Sequence, residues 1–267
     1  MIQHPEYPVE LEAPDIRDHE NGNTPYPFVS TFDSGVAGLH VCVNAVTHGN
    51  EICGAIVVDR FLRDGLRPVA GKLSFVFNNY MAYQHFDPAQ PGDSRFIDED
   101  FNRVWTLERL DGPDDSVELR RARELRPFFD TVDLMLDIHS MGTRSAALMI
   151  CNGLEKERLF ARKVDFPGFI TCGSGHVVGA RLLEYPSFHS PTNEKIALLV
   201  ECGQHWAAAT GVTAMDTACH FLRASGAVPD QVLESYISQQ GLNPPRAQMW
   251  DVTGGITAQS DDFEFVE

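Results

Sequence analysis

Two histidines and a glutamate stand where apolar, strand-like runs of the sequence end. His48 and Glu51 follow the run 38–45, and His139 follows a second run at 132–136. Imidazole and carboxylate groups are typical ligands of catalytic zinc, which takes three protein ligands and leaves a fourth position to water. A His-x-x-Glu pair alone is a weak signal in a chain with ten histidines. Together with the distant histidine, it predicts one zinc ion (Zn2+) per chain, held by His48, Glu51 and His139.

Each of these residues also has a purely structural interpretation. Glu51 opens the next predicted helix, where its charge suits the helix dipole, and His139 alone is typical of a core histidine at a strand end. Asp137 points to the same side of its strand as His139, either as a hydrogen-bond partner of a metal ligand or as an exposed residue. The location of His48 and Glu51 directly after a strand favours the metal site. Gly49 lets the backbone turn sharply there, so that both side chains lie at the end of the strand.

A fourth candidate follows a third apolar run. Glu201 comes directly after Ile196–Val200, which is typical of a strand buried on both faces. A carboxylate in such a place is costly unless it has a partner or a function. It either forms an ion pair with a nearby Lys or Arg, or it takes a proton from zinc-activated water and passes it to a leaving group.

The segment 80–116 is rich in Pro, Gly and Asp and is too long for a plain connection, which is typical of functional loops. Its residues Arg95, Asn102 and Arg103 could bind an anion and a developing oxyanion, with the acidic residues between them orienting the arginines. A salt-bridged surface loop explains the same residues. The interleaved Phe, Ile, Val and Trp side chains indicate that this loop packs against the domain.

Predicted strands and helices alternate along the chain, which indicates an α/β domain with a largely parallel sheet covered on both sides. Ligands of such sheets bind beyond the carboxyl ends of the strands. The strand assignments place His48, Glu51, His139 and Glu201 on that one rim. Strands are predicted at about 36–46, 72–78, 132–138, 146–151, 196–200, 249–252 and 255–258, and helices at about 52–64, 116–129, 156–164, 207–225 and 229–240.

Composition narrows the class of protein. A formal net charge of −17 repels phosphate backbones, so we expect no nucleic-acid partner. No apolar run approaches the roughly 20 residues of a membrane span, and no secretory signal is visible, so we expect neither a membrane partner nor export. Six cysteines without CxxC spacing predict a reduced, cytoplasmic protein. A nucleophilic Cys202 is a weaker alternative to metal chemistry.

Four motifs together resemble the succinylglutamate desuccinylase/aspartoacylase family of the zinc carboxypeptidase-like clan. They are HGNE at 48–51, RFIDEDFNR at 95–103, DIH at 137–139 and VECG at 200–203, in the family's order. The resemblance covers residues of about 36–206. It implies a three-layer α/β/α carboxypeptidase-like fold with a mostly parallel or mixed central sheet, and hydrolysis of the amide bond of a small N-acyl amino acid.

The resemblance also implies a role for each matching residue. It assigns zinc to His48, Glu51 and His139, base and acid catalysis to Glu201, oxyanion stabilisation to Arg95, and binding of the substrate carboxylate to Asn102 and Arg103. Because family members carry a further β-rich domain, we expect an irregular lead-in at 1–35, a catalytic domain at 36–243 and the incomplete beginning of a β-rich segment at 244–267.

The sequence departs from the aspartoacylase pattern at one place. Aspartoacylases have an Arg shortly before the catalytic Glu, whereas His189–Lys195 contains none, and Lys195 is a point charge without the bidentate fork of Arg. The sequence therefore does not identify the acyl group or the amino acid or amine of the substrate, and it leaves homo-oligomerisation open. Two other functions use the same residues: a metallocarboxypeptidase acting on short peptides, and a non-catalytic zinc-binding regulator with the same fold.

Overall fold

A mixed sheet of eight strands organises the part of the chain that the computed structural model describes, residues 7–173 and 179–254. The strands are β1 (Val29–Asp33), β2 (His40–Ala45), β3 (Lys72–Phe77), β4 (Leu134–Met141), β5 (Leu148–Cys151), β6 (Phe169–Cys172), β7 (Ile196–Gln204) and β8 (Gln248–Asp251). Their order across the sheet is β1-β3-β2-β4-β7-β5-β6-β8. Only the β1–β3 and β5–β7 pairs of this sheet are antiparallel. The predicted α/β class with a mostly parallel or mixed sheet is confirmed.

Helices connect most of these strands. They are α1 (Ile52–Arg63), α2 (Tyr80–Tyr83), α3 (Leu107–Asp111), α4 (Val117–Phe129), α5 (Glu155–Val164), α6 (Ala208–Ser225) and α7 (Asp230–Leu233), with 3-10 turns at Arg17–His19, Phe101–Arg103 and Leu182–Glu184. The described helices include none that is both long and apolar enough to span a bilayer.

Two hydrophobic cores cover the two faces of the sheet. Val41 and Val43 of β2 belong to the core that packs α1 and α6, whereas Cys42 belongs to the core that contains α4. This alternation follows from the pleat of a strand, which points successive side chains to opposite faces. The result is the three-layer α/β/α arrangement.

Local sequence features set the limits of the helices. Ser116 caps α4, because its hydroxyl accepts a hydrogen bond from the N–H of Leu119 at 2.9 Å. Gly226 ends α6 with φ of +73°, a conformation that glycine adopts without a steric penalty. Both features agree with the helices predicted from the sequence.

The structure differs from the predicted elements mainly at the edges of the sheet. The predicted irregular lead-in contains β1, and β6 is a further strand that the sequence did not predict; they have only five and four residues. The helix predicted at 229–240 is limited to α7. The strand predicted at 249–252 is β8, which pairs with β6 at the edge of the main sheet. The strand predicted at 255–258 lies outside the described residues, and the division into domains stays a prediction.

Candidate active site

The turn between β2 and α1 presents two of the predicted metal ligands. Val46 has φ of +52°, so the sharp change of direction falls there and not at Gly49 as expected. Gly49 is required for a different reason. A Cβ atom on it would lie 2.4 Å from the carbonyl carbon of Ala82 and 2.4 Å from the carbonyl oxygen of Ser94. The close approach of these backbones places His48 and Glu51 at the carboxyl end of β2.

His48, Glu51 and His139 converge in the buried interior of this rim. Their candidate ligand atoms all lie within 4.8 Å of one another. The Glu51 carboxylate lies between the rings, with Oε1 2.8 Å from Nδ1 of His48 and Oε2 2.8 Å from Nδ1 of His139. The neighbouring strands β2 and β4 therefore bring three residues from distant parts of the sequence to one point.

Each imidazole contacts a second carboxylate through Nε2, the ring nitrogen that does not face Glu51. Nε2 of His139 is 2.9 Å from Oδ2 of Asp137, and Nε2 of His48 is 2.9 Å from Oδ1 of Asp100. Such partners fix the ring orientation and the tautomer of a metal-binding histidine. With Nε2 engaged in this way, both rings present Nδ1 to Glu51.

The electrostatics of the cluster favour charged forms. Burial opposes ionisation of Glu51, but the two imidazoles outweigh it and hold the Glu51 pKa well below its usual range. Burial likewise opposes protonation of His139, yet Asp137 and Glu51 raise the pKa of His139 well above its usual value. The Asp100 pKa is also well below its usual range, because His48 and Arg95 outweigh burial. The site is thus built to hold positive charge.

These residues fit a zinc ion. Two nitrogen donors and one carboxylate form the type of ligand set that catalytic zinc uses, and their Nδ1 and oxygen atoms already lie within the span of one cation. The carboxylate partners of His48 and His139 complete the usual surroundings of such ligands.

Glu201 lies in β7, paired in register with His139 of the neighbouring parallel strand β4. Both residues are inside their strands and not just after them as predicted. The residue is partly accessible, but its Oε2 atom is buried and has no hydrogen-bond partner in the described part of the chain. Burial, reinforced by the charge of Glu51, raises the pKa of Glu201 to about 8. This carboxyl group can therefore hold or release a proton near neutral pH.

Arg95 reaches the candidate metal cluster from the long loop. Its Nη1 is 3.4 Å from Oε1 of Glu51, and its Nη2 donates to Oδ2 of Asp100 at 3.0 Å. The guanidinium also lies 3.1 Å from Nε2 of His48. A salt-bridged surface loop therefore does not describe Arg95, because its partners Glu51 and His48 belong to the candidate site.

Asn102 is brought to the same cluster, whereas Arg103 is only adjacent to it. The Asn102 amide nitrogen lies 3.4 Å from Nε2 of His139, and its side-chain carbonyl oxygen accepts a hydrogen bond from the N–H of Leu182 at 2.8 Å. The guanidinium of Arg103 donates to the Asn102 backbone carbonyl at 2.7 Å and does not contact the three candidate ligands in the described structure.

Lys195 does not belong to the site. It precedes β7, six positions before Glu201, which is about 20 Å along an extended strand. Its ammonium group donates instead to the carbonyl oxygen of Asp130 at the opposite end of the sheet. Lys195, the nearest cation before Glu201 in the sequence, is therefore not placed where it could take over the role of the missing arginine, because β7 separates it from the rim.

Sequence reasoning missed several residues near the site. The sequence indicates for Asp100 only a general orienting role, and it indicates none for His205, whose Nδ1 is 2.8 Å from the Ser140 hydroxyl oxygen. Arg181 was also missed: its side chain is buried, Nε donates to Glu184 at 3.1 Å, and Nη2 has no partner among described residues. Available signals were the position of Asp100 inside the RFIDEDFNR motif and of His205 directly after β7.

The helical layers, the sheet order and the His-Glu-His cluster at the strand ends define an α/β/α protein of the zinc carboxypeptidase-like fold. A family model for the succinylglutamate desuccinylase/aspartoacylase catalytic domain matches residues 37–221. The chain belongs to that family.

Two enzymes match part of the chain at about 30% identity. Mouse aspartoacylase is 29% identical over 163 residues, which are 57% of this chain and 49% of that enzyme. Rat N-acyl-aromatic-L-amino acid amidohydrolase (carboxylate-forming) is 31% identical over 121 residues, 42% of this chain and 36% of the rat protein. The chain spans about half the length of the aspartoacylase that it matches.

Solved structures show the same fold. Succinylglutamate desuccinylase from Chromobacterium violaceum superimposes with a TM-score of 0.61 at 19% identity, covering 89% of this chain and 76% of that one. Murine aminoacylase 3 superimposes with a TM-score of 0.52 at 21% identity, covering 74% and 65% of the two chains.

Proposed function

We propose that this chain is a zinc-dependent hydrolase that cleaves the amide bond of an N-acyl amino acid or a related small N-acyl amine. The observation that carries the proposal is the pairing of Glu201 with His139 across adjacent strands. It sets a carboxyl group, one oxygen of which has no hydrogen-bond partner among residues 7–173 and 179–254, beside a buried cluster suited to a cation. The family and the names of its relatives support amide hydrolysis as the reaction.

In this proposal His48, Glu51 and His139 hold the zinc ion. Bound zinc would lower the pKa of a water molecule and polarise the substrate carbonyl. Glu201 removes a proton from the attacking water and then delivers it to the amine nitrogen as the carbon–nitrogen bond breaks. Its pKa of about 8, which burial raises, is suited to both transfers, because a group titrating near the working pH exchanges protons readily.

Arg95, Asn102 and Arg103 complete the proposed chemistry. The Arg95 guanidinium lies beside Glu51 and His48, where it can stabilise negative charge that develops on the carbonyl oxygen. Asn102 and Arg103 bind the carboxylate of the amino-acid portion, for which Arg provides paired N–H donors. Products are a carboxylic acid and an amino acid.

The test begins with metal content and a panel of substrates. Purified protein should contain about one zinc per chain, lose hydrolysis on chelation and regain it on addition of zinc. The panel should contain acetyl, succinyl, formyl and larger N-acyl amino acids, including aromatic ones, together with dipeptides. Faster release from dipeptides than from all acyl amino acids would favour the carboxypeptidase alternative, and stoichiometric zinc without turnover would favour the regulator.

Glu201→Gln tests the assigned base. We expect it to keep zinc and to lose turnover by about 10²-fold or more, because amide nitrogen and oxygen do not accept the proton. Glu157→Gln is a matched control. Glu157 is also buried, its Oε1 also lacks a hydrogen bond to any described residue, with His189 the nearest cationic partner at 3.8 Å, and it lies in α5 outside the cluster. Full activity of Glu201→Gln would show that the base is wrongly assigned.

A further inference from the structure

A buried carboxylate outside the metal cluster holds the loop that carries Arg95. Glu118, near the start of α4, is 0% exposed. Its Oε1 accepts hydrogen bonds from the N–H of Ile97 at 2.7 Å and from the Asn79 amide at 3.1 Å. Its Oε2 accepts from the N–H groups of Asp98 at 3.1 Å and Glu99 at 3.3 Å.

The three successive backbone N–H groups form a concave donor surface of the kind that binds anions. Here the protein fills that surface with its own side chain. Among the described residues, Glu118 has no salt bridge, so the loop backbone and Asn79 provide its hydrogen-bond donors. Since a buried carboxylate without donors is strongly unfavourable, the loop backbone and Glu118 must order together.

The loop in turn binds the beginning of the same helix. Oδ2 of Asp98 accepts a hydrogen bond from the N–H of Val117 at 2.8 Å. Oε1 of Glu99 accepts from the Ser116 hydroxyl at 2.5 Å and from the Arg109 guanidinium at 2.8 Å. Contacts therefore run in both directions between segment 97–99 and the start of α4, and we call this set the α4 clamp.

The α4 clamp lies between two residues of the candidate site. Arg95 precedes segment 97–99, and its carbonyl oxygen accepts a hydrogen bond from the N–H of Gly49 at 3.1 Å. Asp100 directly follows the segment and contacts both Arg95 and His48. The residues on both sides of segment 97–99 are thus held in place, and this orients the Arg95 guanidinium towards Glu51.

Asn102 has a separate attachment. Its side-chain oxygen accepts from the N–H of Leu182, and the N–H of Trp105 donates to the carbonyl oxygen of Ala180 at 3.3 Å. The proposed substrate-carboxylate residues are therefore held by segment 180–182, and loosening the α4 clamp should affect Arg95 more than Asn102 and Arg103.

We propose that Glu118 is a positioning residue, which sets the Arg95 guanidinium against the metal-binding cluster by binding the backbone of residues 97–99. The proposal rests on the proposed function, through the role of Arg95 in hydrolysis. Glu118 itself touches neither the candidate ligands nor, in this proposal, the substrate.

Glu118→Gln tests the proposal with little change of shape. The Gln side chain has one acceptor oxygen, so the donors facing its –NH2 group lose their acceptor. We expect kcat to fall by about tenfold or more, the effect of losing hydrogen bonds to a charged group, while KM changes by less than about threefold. Glu157→Gln is the control for loss of a buried charge and should leave both constants unchanged.

A double-mutant cycle separates positioning from general damage. In an Arg95→Gln background, Glu118→Gln should reduce kcat by less than about twofold, because its route to the reaction has already been removed. An equal reduction in both backgrounds would overturn the proposal. If Glu118→Gln fails to fold, Glu118→Asp keeps the charge on a shorter side chain, and the same cycle is run with it.

Amide hydrogen exchange provides a readout that does not depend on activity. The N–H groups of Ile97, Asp98 and Glu99 should exchange about tenfold faster or more in Glu118→Gln than in the parent protein. They should be unaffected in Glu157→Gln. Unchanged exchange would overturn the inference even in an active enzyme, whereas absent turnover in the parent protein, with faster exchange in the variant, would contradict only the proposed function.

Discussion

Metal-free protein should become more stable at pH 8 when Glu201 is replaced by Gln. Burial, together with the charge of Glu51, raises the pKa of Glu201 to about 8 from the ordinary value of 4.5. Well below pH 4.5 the carboxyl group is protonated in both the folded and the unfolded chain, so it contributes no pH dependence there. As the pH rises towards 8, the unfolded chain ionises while the folded chain keeps the proton, and the free energy of unfolding falls.

The magnitude follows from the two pKa values. The interval from 4.5 to about 8 corresponds to about 5 kcal/mol at about 1.4 kcal/mol per pH unit. Because Glu201 is partly accessible and water can relax around it, we expect about 2–4 kcal/mol of this to be observed. The Gln side chain of the variant is neutral at every pH, so the stability difference between the variant and the parent should grow from pH 5 to pH 8.

Urea unfolding of both proteins, after removal of metal, measures this difference at pH 5, 6.5 and 8. Equal m-values would show that the two unfolding reactions expose similar surface. Adding zinc at pH 8 should reduce the pH-dependent difference, because a nearby cation favours the carboxylate. A stability difference that stays constant from pH 5 to pH 8 would refute the assigned environment of Glu201, and with it the physical basis for its role as base and acid.

Three other substitutions test separate parts of the site. Asp137→Asn should weaken zinc binding by about 10–100-fold in a chelator competition, because His139 loses its carboxylate partner; unchanged affinity would contradict this. Arg95→Lys should lower kcat by about tenfold or more with zinc retained, since an ammonium cannot reproduce the forked contacts to Glu51 and Asp100, and parent-like kcat would remove Arg95 from the mechanism. Gly49→Ala should reduce the free energy of unfolding in urea by about 1–3 kcal/mol, while Gly92→Ala, where a Cβ meets nothing within 4 Å, serves as its control.

The convergence of the ligands was predictable because each motif stands beside a long apolar run. Val41–Ala45 and Leu134–Ile138 pair in parallel, so their carboxyl ends lie side by side. Recognising the two strands is therefore enough to predict that the residues at their ends are close. Glu201 joined the same rim by the same reasoning, since β7 is the neighbour of β4. The position of a residue inside a strand, or directly after one, is determined by the pairing of strands in the sheet.

Contacts made by the long loop were not predictable in the same way. Asp100 binds His48 across 52 positions, and Glu118 binds Ile97 across 21, through a segment with little regular structure. Sequence spacing says nothing of such pairs, because their geometry depends on how the loop packs. Lys195 shows the converse: it is six positions from Glu201 in the sequence, but the extended strand β7 places the two residues at opposite ends of the sheet.

The ion pair within the Arg95 loop affects the net charge of the candidate metal cluster. Arg95 and Asp100 form an ion pair at 3.0 Å, which leaves Glu51 and Asp137 as fully buried carboxylates facing the two imidazoles. One divalent cation, if bound as proposed, would balance these two buried negative charges with both imidazoles neutral, as ligation requires. Glu201 then has a carboxyl oxygen without a fixed partner in the described part of the chain, and burial keeps its proton available near neutral pH. If Arg95 were not held against Asp100, Asp100 would add a third negative charge that the proposed cation does not balance. The geometry of the loop therefore bears on the proposed proton transfer as well as on the proposed oxyanion.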